Sequence, residues 1–333
     1  MKRPEILLTI MCMSCTISTV TKEETYDAVF SIREATKCME VTDAAETNVK
    51  RWAVMMFDTD NPDAWYYSSS EGSDDITCTV RKDRSYTAYA IANYPPDFSP
   101  SLIQGEDHLL QYPSLLSENA ADALVMFGSK NLEELPSGTT QIPLKRLCSK
   151  VEIKKISVNM SDAVYAAQEF VLNAVYLTNV YMCSSFSSDN LEPDSDSQYW
   201  YNALGWHGSG TVRMLDDILG DRGLGVTINN GGSYETKHVF YTYPNASSTD
   251  SDSDEWSRRR TRLVIEATLG GKKYYYTVTL PAMKRNNCYT VTEASIRKPG
   301  SLDPEKTIPG IIDANITISK NTWDSEYYTS EES

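Results

Sequence analysis

The side chains able to do chemistry are few and scattered. Three histidines, His108, His207 and His238, stand apart: none lies in an HExxH frame and none has a second histidine at metal-binding spacing. Each reads as an ordinary surface or loop residue. Gly208-Ser209-Gly210 lacks the GxSxG frame of a nucleophile elbow, and no phosphate-cradling glycine loop occurs. Asp250, Asp252 and Asp254 repeat as at the start of a calcium loop. Such a loop needs Gly sixth and Glu twelfth, and those positions hold Glu255 and Thr261. A solvated acidic loop beside Arg258, Arg259 and Arg260 is the better reading. After Cys15 the cysteines (Cys38, Cys78, Cys148, Cys183 and Cys288) show no CxxC pairing, so neither a zinc site nor a disulfide framework is indicated. No catalytic group, metal or cofactor is expected, and the chain reads as a protein that is not an enzyme.

One cysteine does suggest chemistry. Lys2 and Arg3 form a positive start, and Ile6 to Met13 is a short apolar run. It is too short to span a bilayer, which takes about 20 residues. Cys15 follows the small residue Ser14, so lipidation at Cys15 after cleavage of a leader is expected. The aliphatic residue expected three positions earlier is replaced by Cys12, which leaves a truncated or mis-started leader as the alternative.

The elements are strands. Tyr26, Ala28, Phe30 and Ile32 alternate with Asp27, Ser31 and Arg33; near the other end Ile312, Ala314, Ile316 and Ile318 alternate with Asp313, Asn315, Thr317 and Ser319. Period-two alternation gives each strand one apolar face. Trp52 to Phe57 is apolar on both faces, which predicts a strand buried on both sides. Asp58 to Gly72 reads as a polar turn region, Ile76 to Val80 and Tyr86 to Ala92 as strands, and Ser114 to Ala123 as a helix with Ser117 as a possible cap. Val151 and Ile153 alternate in one phase, Ile156 and Val158 in the other; the slip at Lys154-Lys155 predicts a bulge or a strand that changes sheets. Phe170 to Tyr181 is a further strand region, and Ser184 to Asp196 a surface loop. Leu263 to Ala267, Gly270-Gly271 and Tyr274 to Leu280 form the clearest hairpin.

The chain has 333 residues, 41% hydrophobic and 23% charged, with a net charge of −15. It is long enough for two ordinary domains, and its charge argues against nucleic acid as a partner. Many short strands separated by turns predict an all-β protein of two β-sandwich domains, with a short helical insertion in the first. The expected division is a leader over 1–15, an N-terminal sandwich over 16–145 and a C-terminal sandwich over 146–333.

Several stretches, taken in order, resemble the fimbrillin family, the shaft and accessory subunits of the type V pili of Gram-negative bacteria. They are WAVMMFD (Trp52 to Asp58), YTAYAIANYP (Tyr86 to Pro95), PLKRLCSKVEI (Pro143 to Ile153) and LTNV (Leu177 to Val180). The C-terminal half adds YTYPN (Tyr241 to Asn245), TRLVIEATLGGKKYYY (Thr261 to Tyr276) and IRKPGSLDPE (Ile296 to Glu305). The resemblance implies transthyretin-like sandwiches, export as a lipoprotein anchored in the outer membrane, proteolytic removal of the first strand, and polymerisation with other pilus subunits, alike or different, by strand exchange at the cell surface. On that reading Tyr26, Ala28, Phe30 and Ile32 belong to the removable strand, and Ile312, Ala314, Ile316 and Ile318 to the donor. The family's trimming protease often cuts after a basic residue, so Arg33 and Lys37 are the cleavage candidates, with Arg51 further along. A different reading is a surface lipoprotein that binds glycan or a host ligand, using Trp65, Tyr66, Tyr67 and Tyr199, Trp200, Tyr201 as stacking platforms.

Overall fold

Alternating apolar residues dominate the first half of the chain, and they fold into two facing sheets. The computed structural model describes residues 24–33, 44–187, 200–201, 219–247, 259–304 and 306–320. In chain order the first nine strands are β1 (Thr25–Arg33), β2 (Arg51–Asp58), β3 (Asn61–Glu71), β4 (Ile76–Arg81), β5 (Tyr86–Ala92), β6 (Pro113–Leu115), β7 (Met126–Leu132), β8 (Thr140–Pro143) and β9 (Lys145–Arg146). Strands β4-β1-β8 make one sheet and β3-β2-β5-β7-β9 the other. Between them lie Ala28, Phe30, Trp52, Val54, Met56, Ile76, Cys78, Val80, Tyr86 and Ile142.

The second sheet is buried on both faces. Met55 and Phe57 of β2, with Tyr89 and Ile91 of β5, point away from that core and join the larger one of the C-terminal half. This is why Trp52 to Phe57 lacks a polar face.

The remaining strands are β10 (Ser149–Ile153), β11 (Ile156–Val158), β12 (Phe170–Thr178), β13 (Val180–Tyr181), β14 (Cys183–Ser185), β15 (Trp200–Tyr201), β16 (Gly220–Thr227), β17 (Ser233–Tyr234), β18 (His238–Thr242), β19 (Arg262–Leu269), β20 (Lys272–Thr279), β21 (Asn287–Ile296) and β22 (Ile312–Lys320). One sheet has the order β17-β11-β21-β10-β18 with β22 paired to β21, and it faces a sheet of order β16-β12-β19-β20. Val151, Ile153, Ile156, Leu172, Val175, Ile265, Tyr276, Tyr289 and Val291 fill the space between. The fold is all-β, with two short helices, α1 (Glu106–Leu110) and α2 (Ala163–Ala166), among the described residues.

The hairpin of β19 and β20 forms as expected, since Gly270 and Gly271 both take positive φ (56° and 82°), which glycine adopts without strain. At Lys154-Lys155 the strand does not change sheets: β10 and β11 both run parallel to β21. The slip is matched in β21, whose pairing with β22 shifts between Val291 and Ala294.

Three expectations are corrected. Asp58 to Gly72 is not a turn region but holds the eleven-residue strand β3, which among the described residues pairs with β2 alone and whose Asn61, Asp63, Ser69 and Glu71 are exposed. The helix expected over Ser114 to Ala123 shrinks to a single 3-10 turn, Leu116–Glu118. Ser114 is drawn into β6, which pairs with β14, and its hydroxyl lies 2.8 Å from the Tyr243 hydroxyl, so tertiary contacts override local propensity. The helix of that segment is α1, a few residues earlier. Ser184 and Ser185, expected in a surface loop, are buried in that same β14 pairing.

Candidate functional site

β1 owes its position to its alternation. Ala28 and Phe30 are fully buried, and Tyr26 and Ile32 pack partly buried against the same core. On one side β1 runs antiparallel to β4, with Tyr26 opposite Val80, Ala28 opposite Cys78 and Phe30 opposite Ile76. On the other it runs parallel to β8, with Phe30 opposite Thr140 and Ile32 opposite Ile142. It is therefore the central strand of its sheet. Tyr26 donates a hydrogen bond from its hydroxyl to the Pro136 carbonyl, and Asp27 accepts one from the Thr79 hydroxyl at 2.6 Å. Behind it, Gly128 of β7 lets the Pro143 end of β8 approach closely: a Cβ there would fall 2.0 Å from the Pro143 carbonyl oxygen.

Burial pushes the Cys78 thiol, directly opposite Ala28, up to about 12. Taking β1 away would uncover this thiol together with two facing strand edges.

Past Arg33 the chain re-enters the described structure at Ala44, in a single 3-10 turn. That turn is fastened to the C-terminal half. The Glu46 carboxylate receives Lys150 Nζ at 2.7 Å and the Tyr241 hydroxyl at 2.8 Å, and the Arg146 guanidinium donates to the Glu46 carbonyl at 3.0 and 3.3 Å. Lys150 also meets Glu152 at 2.9 Å, and Glu152 accepts from the Thr290 hydroxyl at 3.3 Å. Burial alone would depress the Lys150 amine, but its hydrogen bonds and charge pairing with Glu46 and Glu152 hold it above its ordinary value. Burial works to raise Glu152, and Lys150, Lys237 and Lys154 outweigh it, so its carboxyl lies below the usual range. Burial and the Glu46 carboxylate push the Tyr241 phenol up. No sequence pattern marked this clamp; the only signal was Lys150 and Glu152 alternating with Val151 and Ile153.

The other end strand is held differently. Among the described residues β22 has one neighbour, β21. Ile312, Ala314 and Ile316 pack partly buried against the larger core, while Ile318 is 46% exposed. Near its start, Asp313 forms an ion pair with Arg297, both half-exposed.

Cys15 and Lys37 lie outside the described residues. Arg33 is the last residue of β1, paired with Pro143. The proposed aromatic platforms come apart. Trp65 and Tyr67 share a face, with ring centroids 5.5 Å apart, but Tyr66 points to the other side against Tyr86. Trp200 and Tyr201 lie in β15, paired with β13, and Tyr199 is outside the described residues. His108 is exposed and its Nδ1 accepts from the Gln104 amide, whereas His207 is not described. His238 corrects the expectation of a surface residue: it is buried, with Nδ1 2.5 Å from Asp221 Oδ2 and its ring against Tyr234. Cys78, Cys148 and Cys288 are buried thiols. Among the described residues no group of His, Cys, Asp or Glu could hold a metal ion, and no helix is long and apolar enough to cross a membrane.

No protein-family model and no curated protein sequence matches the chain. Solved structures do. A candidate cell adhesion protein of Bacteroides eggerthii superposes with a TM-score of 0.67 at 18% identity, covering 90% of this chain and 96% of its own. The fimbrilin FimA of Porphyromonas gingivalis superposes with a TM-score of 0.62 at 14% identity, covering 88% and 96%. The tip fimbrial protein Mfa3 of the same organism, solved with a C-terminal truncation, gives 0.53 at 13% identity, covering 89% and 100%. At these identities the finding is one of fold. The chain has a fimbrillin-like fold over nearly its whole described length, in agreement with the resemblance read from the residues.

Proposed function

We propose that this chain is a structural pilus subunit of the cell surface, exported as a lipoprotein through Cys15 and assembled by strand exchange. Its two sandwiches, 16–145 and 146–333, act as the shaft units between an N-terminal groove and a C-terminal donor strand. The observation that carries the reading is the contrast between the end strands. β1 fills the middle of a sheet and covers a core, whereas β22, among the described residues, lies on an edge with one neighbour and its last apolar residue exposed. The fimbrial and adhesion neighbours of the same fold support it.

The physical logic is one of effective concentration. While β1 is covalently attached, its concentration at its own groove is on the order of mM, so a donor at about 1 µM is at a disadvantage of ~4 kcal/mol before any contact is compared. A cut after Arg33 or Lys37 removes that advantage, because the separated strand dilutes away. The clamp at Glu46 keeps the turn at 44–47 fastened to the C-terminal half. What remains is two unpaired strand edges over an apolar floor, a template for an added strand.

The test is a chain carrying a site-specific protease sequence between Glu34 and Glu40. The cut protein is expected to form ladders on a detergent gel. The uncut protein, and the cut protein deleted for residues 312–323, are expected to stay monomeric. Ladders from the deleted chain would remove β22 as the donor.

A further inference from the structure

Between the end of β1 and Trp52 the chain carries three basic residues, Lys37, Lys50 and Arg51. Lys50 and Arg51 each offer a bond to a protease that cuts after a basic residue, and both bonds are occupied. The Lys50 carbonyl accepts from the Gly72 amide at 2.7 Å, and the Arg51 carbonyl from the Asn93 amide at 2.8 Å. Cleavage needs that carbonyl in an oxyanion hole and the basic side chain in the protease's specificity pocket. The side chains are taken as well. Lys50 Nζ lies 2.6 Å from the Asp122 carboxylate. The Arg51 guanidinium stacks over the Tyr94 ring, 4.5 Å from its centroid, and donates to the Tyr94 carbonyl at 2.7 Å. Trp52, the residue beyond the second bond, is fully buried.

One residue pins this stretch. Asn93, directly after β5, is buried and takes a positive φ of 51°, which asparagine adopts more readily than most residues. Its side-chain oxygen accepts from the Lys50 backbone N–H at 2.8 Å. Its side-chain nitrogen donates to the Asn48 carbonyl at 2.8 Å and to the Leu124 carbonyl at 3.0 Å. With its own backbone N–H on Arg51, it holds residues 48, 50 and 51 together. We infer that Asn93 is a trimming stop: it closes the bonds after Lys50 and Arg51 to a basic-specific protease and so fixes how far removal of the N-terminal segment can run. The inference rests on the trimming step of the strand-exchange reading and adds the limit of that step.

Arg33 stands differently. It ends β1 opposite Pro143, whose nitrogen carries no hydrogen to donate to the ladder. The stop also guards what trimming must leave behind. A cut after Lys50 or Arg51 would release Glu46, and Lys150 and Tyr241 would lose the carboxylate they share. Proteolysis of a folded chain samples local openings, and each hydrogen bond that must break first makes the open form scarcer. Asn93 multiplies that cost at 48–51, because no one of its contacts frees the segment when it breaks alone.

The experiment is digestion of the purified, native full chain with trypsin, which cuts after lysine and arginine, with the first residue of each large fragment read by mass spectrometry over time. The unsubstituted chain is expected to give fragments starting at Glu34 or Cys38 and none starting at Arg51 or Trp52. Asn93→Gly accommodates the positive φ and removes the side chain. It is expected to speed the cuts after Lys50 and Arg51 by about 10-fold or more, with the rates after Arg33 and Lys37 unchanged. Asn48→Arg, at an exposed position, sets a basic residue on a carbonyl that Asn93 holds, and is expected to stay uncut there until Asn93→Gly is added. Cutting after Arg262, buried in β19, reports global unfolding in the same digest. Early cutting after Lys50 or Arg51 in the unsubstituted chain, or after position 48 in Asn48→Arg alone, would overturn the stop. Unchanged cutting in Asn93→Gly, or a rise matched by an equal rise after Arg262, would overturn the role of Asn93. A chain that resists trypsin at Arg33 and Lys37 would count against the trimming reading, while the rates at positions 48, 50 and 51 would still decide the stop.

Discussion

Removing β1 should unmask one thiol and leave another untouched. Cys78 faces Ala28 across the β1–β4 pair, and burial raises its thiol from an ordinary 9.0 to about 12. At pH 8 a thiol at 9.0 is ~10% thiolate, and one at 12 is ~0.01%, so the reactive form is about 1,000-fold scarcer in the intact chain. Because the shift is upward, reactivity of the intact protein should rise tenfold per pH unit through the alkaline range, while an uncovered thiol levels off above about 9. Cys148, also buried and raised to about 12, lies against the larger core away from β1 and serves as the internal control. The assay is disulfide exchange with an aromatic disulfide at pH 8, followed by peptide mapping, on uncut and cut chains that both carry Ile316→Asp to keep them from filling each other's grooves, the cut chain freed of its β1 peptide. Cys78 should react at least 100-fold faster after the cut, Cys148 at an unchanged rate. Addition of a peptide spanning 310–320 should restore protection at Cys78. A Cys78 that reacts equally fast in the intact chain, or stays unreactive once the β1 peptide is gone, would refute the claim that β1 covers that wall of the groove.

Other perturbations have outcomes of known sign. Phe30→Ala, at a fully buried ring, should cost the uncut chain ~3–5 kcal/mol in urea unfolding of the N-terminal core. Gly128→Ala, which would drive a Cβ into the Pro143 carbonyl, should shift β8 and lower the melting temperature without altering the cut site. Lys150→Met leaves Glu46 and Glu152 buried without their shared cation and should cost ~3–5 kcal/mol at pH 7. Glu152 is depressed in the intact protein, so its contribution is present above 4.5 and lost as pH falls through its lowered value. The gap between Lys150→Met and the unsubstituted chain should therefore narrow in acid, as urea titrations at pH 7 and pH 3.5 would show. Arg297→Ala removes the exposed ion pair to Asp313, worth about 0–1 kcal/mol, and should speed amide exchange over 312–316 by up to about fivefold.

The end strands were legible because each buries one face, and period-two alternation survives wherever that is so. The β19–β20 hairpin was legible because its turn demands two glycines. What escaped was non-local. Nothing near Phe30 announces that its parallel neighbour is Thr140, since that pairing is chosen by the whole sheet. β3 was misread because an edge strand with a solvated face carries the Asn, Asp and Ser of a turn. Ser114 was misread because its partner, Tyr243, is 129 residues away. The clamp at Glu46 joins charges that composition assigns to solvent, and only the packing of the two halves explains their burial.

The most direct test of exchange separates the two roles. A donor-dead acceptor is the cut chain bearing Ile316→Asp, freed of its β1 peptide; a groove-blocked donor is the uncut, unsubstituted chain. Each alone should run as a monomer in size-exclusion chromatography with light scattering. Mixed, they should give a dimer of one copy each and nothing larger, since neither can extend further. A mixture that stays monomeric, or dimers formed by either chain alone, would contradict the account.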